Sequence, residues 1–125
     1  MKLKRSSAVI AVVDDDESFR SAIAGLLRSA SWKVRMFSSA DQLLNDTRRS
    51  DVRLVISDIQ MPDMDGFALL KSICEWKRVI PVIFITGYPT HNLKERSYLS
   101  GASGFFEKPV DDAQLLAKID EVLRK

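Results

Sequence analysis

The sequence has 125 residues, 46% of them hydrophobic and 29% charged, with 19 basic against 17 acidic side chains and a formal net charge of +2. That length suits a single domain over residues 1–125, and the composition excludes disordered and fibrous classes. The near-even charge gives no reason for direct nucleic-acid binding, no run reaches the roughly 18 apolar residues of a membrane span, and one cysteine excludes an internal disulfide or a cysteine-based zinc cluster.

Residues 1–7 read as a flexible N-terminal segment, basic but without a following signal-peptide core, so a cytoplasmic location is expected. Val9 to Val13 is a β-rich run too short for a helix; Phe19, Ile23, Leu26, Leu27 and Ala30 then fall on one helical face. Val34 to Phe37 is more polar, as an edge strand should be, and Ser38 or Ser39 can cap a short helix carrying Leu43 and Leu44. Leu54 to Ser57 is apolar enough for a central strand. It runs into Asp58 and the turn-forming Met61-Pro62-Asp63-Met64-Asp65-Gly66.

Phe67, Leu70, Ile73 and Cys74 mark a third helix, with Cys74 expected as a packed core thiol. After Pro81, Val82 to Ile85 forms a second fully apolar strand. Leu93 to Ser100 has the poorest apolar face of any helical stretch; Phe105-Phe106 begins a short last strand, and Leu115, Ile119, Val122 and Leu123 define a terminal helix. Arg48-Arg49 and Lys77-Arg78 read as solvated surface.

Five alternating strand and helix units imply an α/β fold: a doubly wound five-stranded parallel sheet with helices on both faces. The two least apolar strands, second and fifth, belong at the edges, which an order of 2-1-3-4-5 satisfies. Strands one and three then meet at the switch point, where ligands bind. Four strand ends would share that edge: Asp14-Asp15-Asp16-Glu17, Asp58, Thr86-Gly87 and Glu107-Lys108-Pro109. Carboxylates of Asp14, Asp15 and Asp58 brought together would repel, and a hard divalent cation relieves them. With only oxygen donors, Mg2+ is favoured, with Mn2+ as an acceptable substitute, and Mg2+ commonly completes its octahedron with a phosphate oxygen. Lys108 can bind a phosphoryl oxygen, Thr86 offers a hydroxyl and Gly87 leaves room for close approach. Taken singly, an acidic run is a helix cap, Asp58 a turn residue and Lys108 surface; their convergence on one edge gives them a common purpose.

Val12-Val13-Asp14-Asp15-Asp16-Glu17, Ser57 to Gly66, Ile85-Thr86-Gly87 and Phe106-Glu107-Lys108-Pro109 resemble the signature blocks of the receiver domain of two-component response regulators, over essentially the whole chain and at the usual spacing. The resemblance implies a flavodoxin-like fold and a phosphorylation-dependent switch in which Asp58 accepts a phosphoryl group from a histidine kinase or histidine phosphotransfer protein. It implies Mg2+ held directly by Asp15 and Asp58, through water by Asp14, and by the Gln60 backbone carbonyl. It implies that Lys108 contacts the phosphoryl group and that Lys108-Pro109 is a cis peptide, a form that is routine only before proline. Thr86 would move toward the phosphoryl oxygen and the aromatic at Phe105 would turn inward; Phe105 stands where Tyr is commoner, so no phenolic hydroxyl reports at that surface. Gln60 and Tyr88 would flank the hydrolytic water and modulate dephosphorylation.

Output is expected from the fourth helix, fifth strand and fifth helix, toward an output domain or downstream protein, with phosphorylation-promoted homodimerisation as a further possibility. A Mg2+-dependent phosphohydrolase with Asp58 as nucleophile is the alternative of a different class, and a phosphorylation-independent interaction module a third. The expectation is a phosphoacceptor with slow autophosphatase activity rather than an enzyme with a separate substrate.

Overall fold

The structure is a computed structural model and describes residues 8–124; the expectation for residues 1–7 lies outside the described residues. The strands are β1 (Val9–Val13), β2 (Lys33–Phe37), β3 (Val52–Asp58), β4 (Val82–Thr86) and β5 (Gly104–Glu107). The helices are α1 (Glu17–Ser29), α2 (Ala40–Leu44), α3 (Gly66–Ile73), α4 (Leu93–Leu99) and α5 (Asp112–Leu123). All paired strands are parallel, in the order β2-β1-β3-β4-β5.

Strand alternation divides the core between the two faces of the sheet. Ala11, Val13, Val55, Val82 and Phe84 pack with Leu43 of α2, Leu69, Leu70 and Ile73 of α3, and Leu93 of α4. Ile10, Val12, Leu54, Ile56, Ile83 and Ile85 pack with Ile23 and Leu27 of α1 and Leu115 and Ile119 of α5. Each strand of the β1, β3 and β4 centre is therefore covered on both sides, which explains its unbroken apolar sequence. β2 has exposed and half-buried positions and lies at the edge.

Four helix starts follow one rule: the side chains of Asp16, Ser39, Asp65 and Asp111 each accept a backbone N–H three residues on. α4 departs from it. Its N-cap, Asn92, is left-handed at φ 63° with no side-chain cap bond, and only Leu93 and Ser97 of the helix are buried.

The expected core role of Cys74 is overturned. α3 ends at Ile73, and Cys74 is its exposed C-cap, because Leu69, Leu70 and Ile73 take the buried face and the next residue turns outward. In the basic pairs, Arg48 and Lys77 are exposed as expected, but Arg49 and Arg78 are more than solvated surface. Arg78 donates to the carbonyls of Val52 and Arg49, both at 2.8 Å, while Arg49 donates to Leu44 O at 2.6 Å and lies over the Trp76 ring at 5.5 Å. A 3-10 turn, Arg49–Asp51, leads into β3 and needs these donors for its carbonyls.

Candidate functional site: an acidic cluster at the strand ends

β1 stops at Val13 and β3 at Asp58, so in adjacent parallel strands the residues that follow emerge at the same edge. The acidic run after β1 is sorted by position. Asp14 is buried, its backbone N–H donates to Phe37 O at 3.1 Å, and its carbonyl accepts from Arg20 at 2.7 Å. Asp15 is exposed beside it, Asp16 caps α1, and Glu17 lies in the first helical turn. One tetrapeptide thus supplies two site acids and two helix-start groups.

Asp14, Asp15 and Asp58 each offer a carboxylate oxygen such that the three lie within 4.8 Å of one another. Lys108, just after β5, reaches in from the far side, with Nζ 2.9 Å from Asp14 Oδ2 and 3.6 Å from Asp58 Oδ2. The Lys108–Pro109 bond is cis. The ammonium also sits 4.1 Å from the centre of the Phe19 ring in α1, a contact that lends it a cation-friendly wall. Phe19 was legible in the sequence only as a core residue; its role at the site arises because α1 starts beside β5's end in space.

These charges do not balance. Burial, then the negative charge of Asp14, push the Asp58 carboxyl up from 3.8 to about 6, although Lys108 and the N–H groups of Ile59 and Gln60 pull it down. Burial works to lower Lys108 as well, but its hydrogen bond to Asp14 and the charges of Asp14, Asp58 and Asp16 carry it above its ordinary value. One ammonium facing three carboxylates leaves net negative charge in a site of oxygen donors, and that donor set fits a hard divalent cation.

Gly66 keeps the site's floor closed. A Cβ there would lie 2.7 Å from Asp58 O and 2.9 Å from Ile59 Cα, so the start of α3 packs directly on the backbone of the site. In the sequence Gly66 looked like a turn glycine; its actual constraint is this close approach. Gly87 is looser: a Cβ would meet only Lys108 Cδ, at 3.5 Å.

Thr86, the fully buried last residue of β4, completes the group. Its hydroxyl donates to Gln60 Oε1 at 2.5 Å and accepts from the Tyr88 N–H at 3.0 Å, while Gln60 Nε2 donates to Tyr88 O at 3.1 Å. The Gln60 N–H lies 3.3 Å from Asp58 Oδ1. Tyr88 contributes its backbone to this group, and its side chain is 76% exposed. Phe105 lies outside the acidic cluster, half-buried in β5, where it lines a groove of about 630 Å³ with Leu93, Tyr98 and Leu99. The side-chain bond from Gln60 to Thr86 had no signal in the sequence, since it joins the loop after β3 to the end of β4.

Fold and site together define a doubly wound α/β protein with three carboxylates gathered at its switch point, a set that could hold a metal ion. The family model for the response regulator receiver domain matches residues 10–120, and the chain belongs to that family, the phosphorylation-dependent switches of two-component signalling. It is 36% identical over 118 residues, 94% of its length, to the response regulator protein TodT of Pseudomonas putida, and covers 52% of that relative. The chain thus spans about half the length of curated relatives such as TodT. Among solved structures, the chemotaxis protein CheY4 of Vibrio cholerae aligns with TM-score 0.81 and 26% identity, covering 93% of this chain and 98% of that one. The BeF3-activated receiver domain of DrrB aligns with TM-score 0.83 and 27% identity, covering 92% and 96%. No helix among the described residues is long and apolar enough to cross a membrane.

Proposed function

We propose that residues 1–125 act as one receiver domain whose phosphoacceptor is Asp58, and the observation that carries this is the Asp14, Asp15 and Asp58 cluster with Lys108 reaching two of its acids. A phosphohistidine of a sensor kinase or histidine phosphotransfer protein is the donor. An Asp58 carboxylate oxygen attacks phosphorus, an O–P bond forms as the P–N bond breaks, and the imidazole nitrogen keeps the departing electron pair. Asp58, raised to about 6, is mostly ionised at neutral pH and so available as the nucleophile. Asp15 and Asp58 directly, Asp14 through water and the Gln60 carbonyl would hold Mg2+, which would supply positive charge to offset the phosphoryl oxygens; Mn2+ would suit the same donors. Lys108 contacts a phosphoryl oxygen, Gly87 gives it room, and Thr86 moves to donate to another.

Readout passes to α4, β5 and α5. α4 has no side-chain cap bond and few buried residues, so a site effect of a few kcal/mol can bias it. Phe105, in the groove beside it, turns inward in the switched state. That surface meets an output domain, a downstream protein or a second copy, in the cytoplasm. Gln60 and Tyr88 set the rate of a slow autodephosphorylation. The family match supports the switch over the phosphohydrolase alternative.

Wild type and Asp58→Asn, incubated with acetyl phosphate and Mg2+ and weighed intact, test the acceptor. A single phosphoryl adduct on wild type alone is expected, and a full adduct on Asp58→Asn overturns the assignment. Hydrogen exchange with and without beryllofluoride and Mg2+ tests the readout: protection should change most between Thr86 and Lys108, and changes confined to α1 and α2 overturn that face.

A further inference from the structure

Gln60 joins the acceptor loop to the switch residue through its side chain as well as its backbone. Its Oε1 accepts the only proton that the Thr86 hydroxyl can donate, at 2.5 Å, and its Nε2 donates to Tyr88 O at 3.1 Å. The Tyr88 N–H returns to Thr86 Oγ1 at 3.0 Å and closes a ring across the β3–α3 and β4–α4 loops. The amide orientation follows from its partners: reversed, Oε1 would face the Tyr88 carbonyl, acceptor against acceptor. Thr86 is fully buried, so its hydroxyl pays a desolvation cost in any arrangement that lacks an acceptor.

We infer that the Gln60 side chain is a latch: it holds the Thr86 hydroxyl in the unphosphorylated orientation, and Thr86 must release it before donating to the phosphoryl group. This rests on Asp58 as acceptor. Gln60 is then a positioning residue that acts through Thr86, and it sets how strongly the unswitched state is favoured. The β-branched Thr86 makes this a choice between discrete rotamers rather than a gradual tilt. The Tyr88 ring, exposed and outside the ring of bonds, is dispensable for the latch, since only its backbone takes part.

A double-mutant cycle tests it, with beryllofluoride and Mg2+ titrated against the whole chain. Gln60→Met keeps the bulk and the backbone carbonyl but removes both amide groups. In the Thr86 background it should tighten beryllofluoride binding about threefold to tenfold, the worth of one hydrogen bond lost from the unswitched state alone. The same change in a Thr86→Ala background should leave binding unaltered, and a Thr86→Ser background, which restores the hydroxyl, should restore the gain. Any direct contact of Gln60 with the mimic, or a change in water access, would act equally in all three backgrounds. An equal effect of Gln60→Met in the Thr86 and Thr86→Ala backgrounds therefore overturns the latch. Wild type that shows neither Mg2+-dependent beryllofluoride binding nor an acetyl-phosphate adduct on Asp58 overturns the acceptor assignment and the latch with it, so the two failures are told apart.

Discussion

The two ends of the sheet handle charge in opposite ways. At the end where the strands finish, Asp14, Asp15 and Asp58 face one another, and among the described residues Lys108 is the cation paired with their carboxylates. At the other end, Arg49, Arg53 and Arg78 point their guanidinium groups at the carbonyls of Leu44, Ser50, Arg49 and Val52, and Arg78 spans the turn before β3. Burial, and the nearby charge of Arg53, hold Arg78 below its ordinary value, yet its hydrogen bonds are made. The arginine end satisfies its own backbone, whereas the acid end is left with charge that an incoming cation and phosphoryl group can use.

The sharpest way to break this contrast is to neutralise the acid end. In metal-free protein the folded Asp58 titrates at about 6 rather than 3.8, so between those values the folded state holds a proton that the unfolded chain has released. Stability therefore falls as pH rises from about 4 to about 6, by roughly 3 kcal/mol at most. Asp58→Asn should remove that slope and be the more stable protein at pH 7 without metal, as urea unfolding at a series of pH values will read. Added Mg2+ should recover part of the loss for wild type at pH 7 and little of it at pH 4. A wild-type stability flat across that window would contradict the uncompensated charge.

Gly66→Ala attacks the same end through packing. The new Cβ would meet backbone atoms of Asp58 and Ile59, which cannot swing aside, so a loss of about 2 kcal/mol is expected together with weaker Mg2+ binding. Gly87→Ala, with room at 3.5 Å, is the control and should cost far less.

Arg78→Met probes the opposite end. It strips the donors from Val52 O and Arg49 O, and should cost about 1–2 kcal/mol in urea unfolding. Mg2+ affinity measured by calorimetry should stay at the wild-type value. A fall in Mg2+ affinity here would show that the two ends are coupled and the contrast too simple.

The smallest expected difference separates two neighbours. Asp15→Ala should weaken Mg2+ binding more than Asp14→Ala, by about tenfold, because a direct ligand costs more to lose than a contact through water. Asp14→Ala also frees Lys108 from its 2.9 Å ion pair, and an ammonium left closer to Asp58 alone will complicate the metal isotherm. A larger loss for Asp14→Ala in calorimetry would mean that the two roles are exchanged, and equal losses that the two acids do not differ in role.

Local chemistry was enough to determine much of this protein. Apolar runs of four and five residues could only be buried strands, the polar run at β2 could only be an edge, and their alternation with helical periods required a parallel sheet. That topology by itself puts Asp14, Asp15, Asp58, Thr86 and Lys108 on one edge. Tertiary structure alone decided what depends on two distant segments meeting. Cys74 has the composition of a core thiol, but where α3 stops relative to the sheet turned it outward. Arg78 carries no local sign that its partners are Val52 and Arg49, residues that only the stacking of two loops brings near it. Phe19 of α1 beneath Lys108 and Gln60 against Thr86 at the end of β4 likewise each join a loop residue to a distant element, and such contacts depend on how the segments are placed rather than on the local propensity of either. Periodicity reports which face a residue prefers; the side chain it meets there is set by how the elements pack.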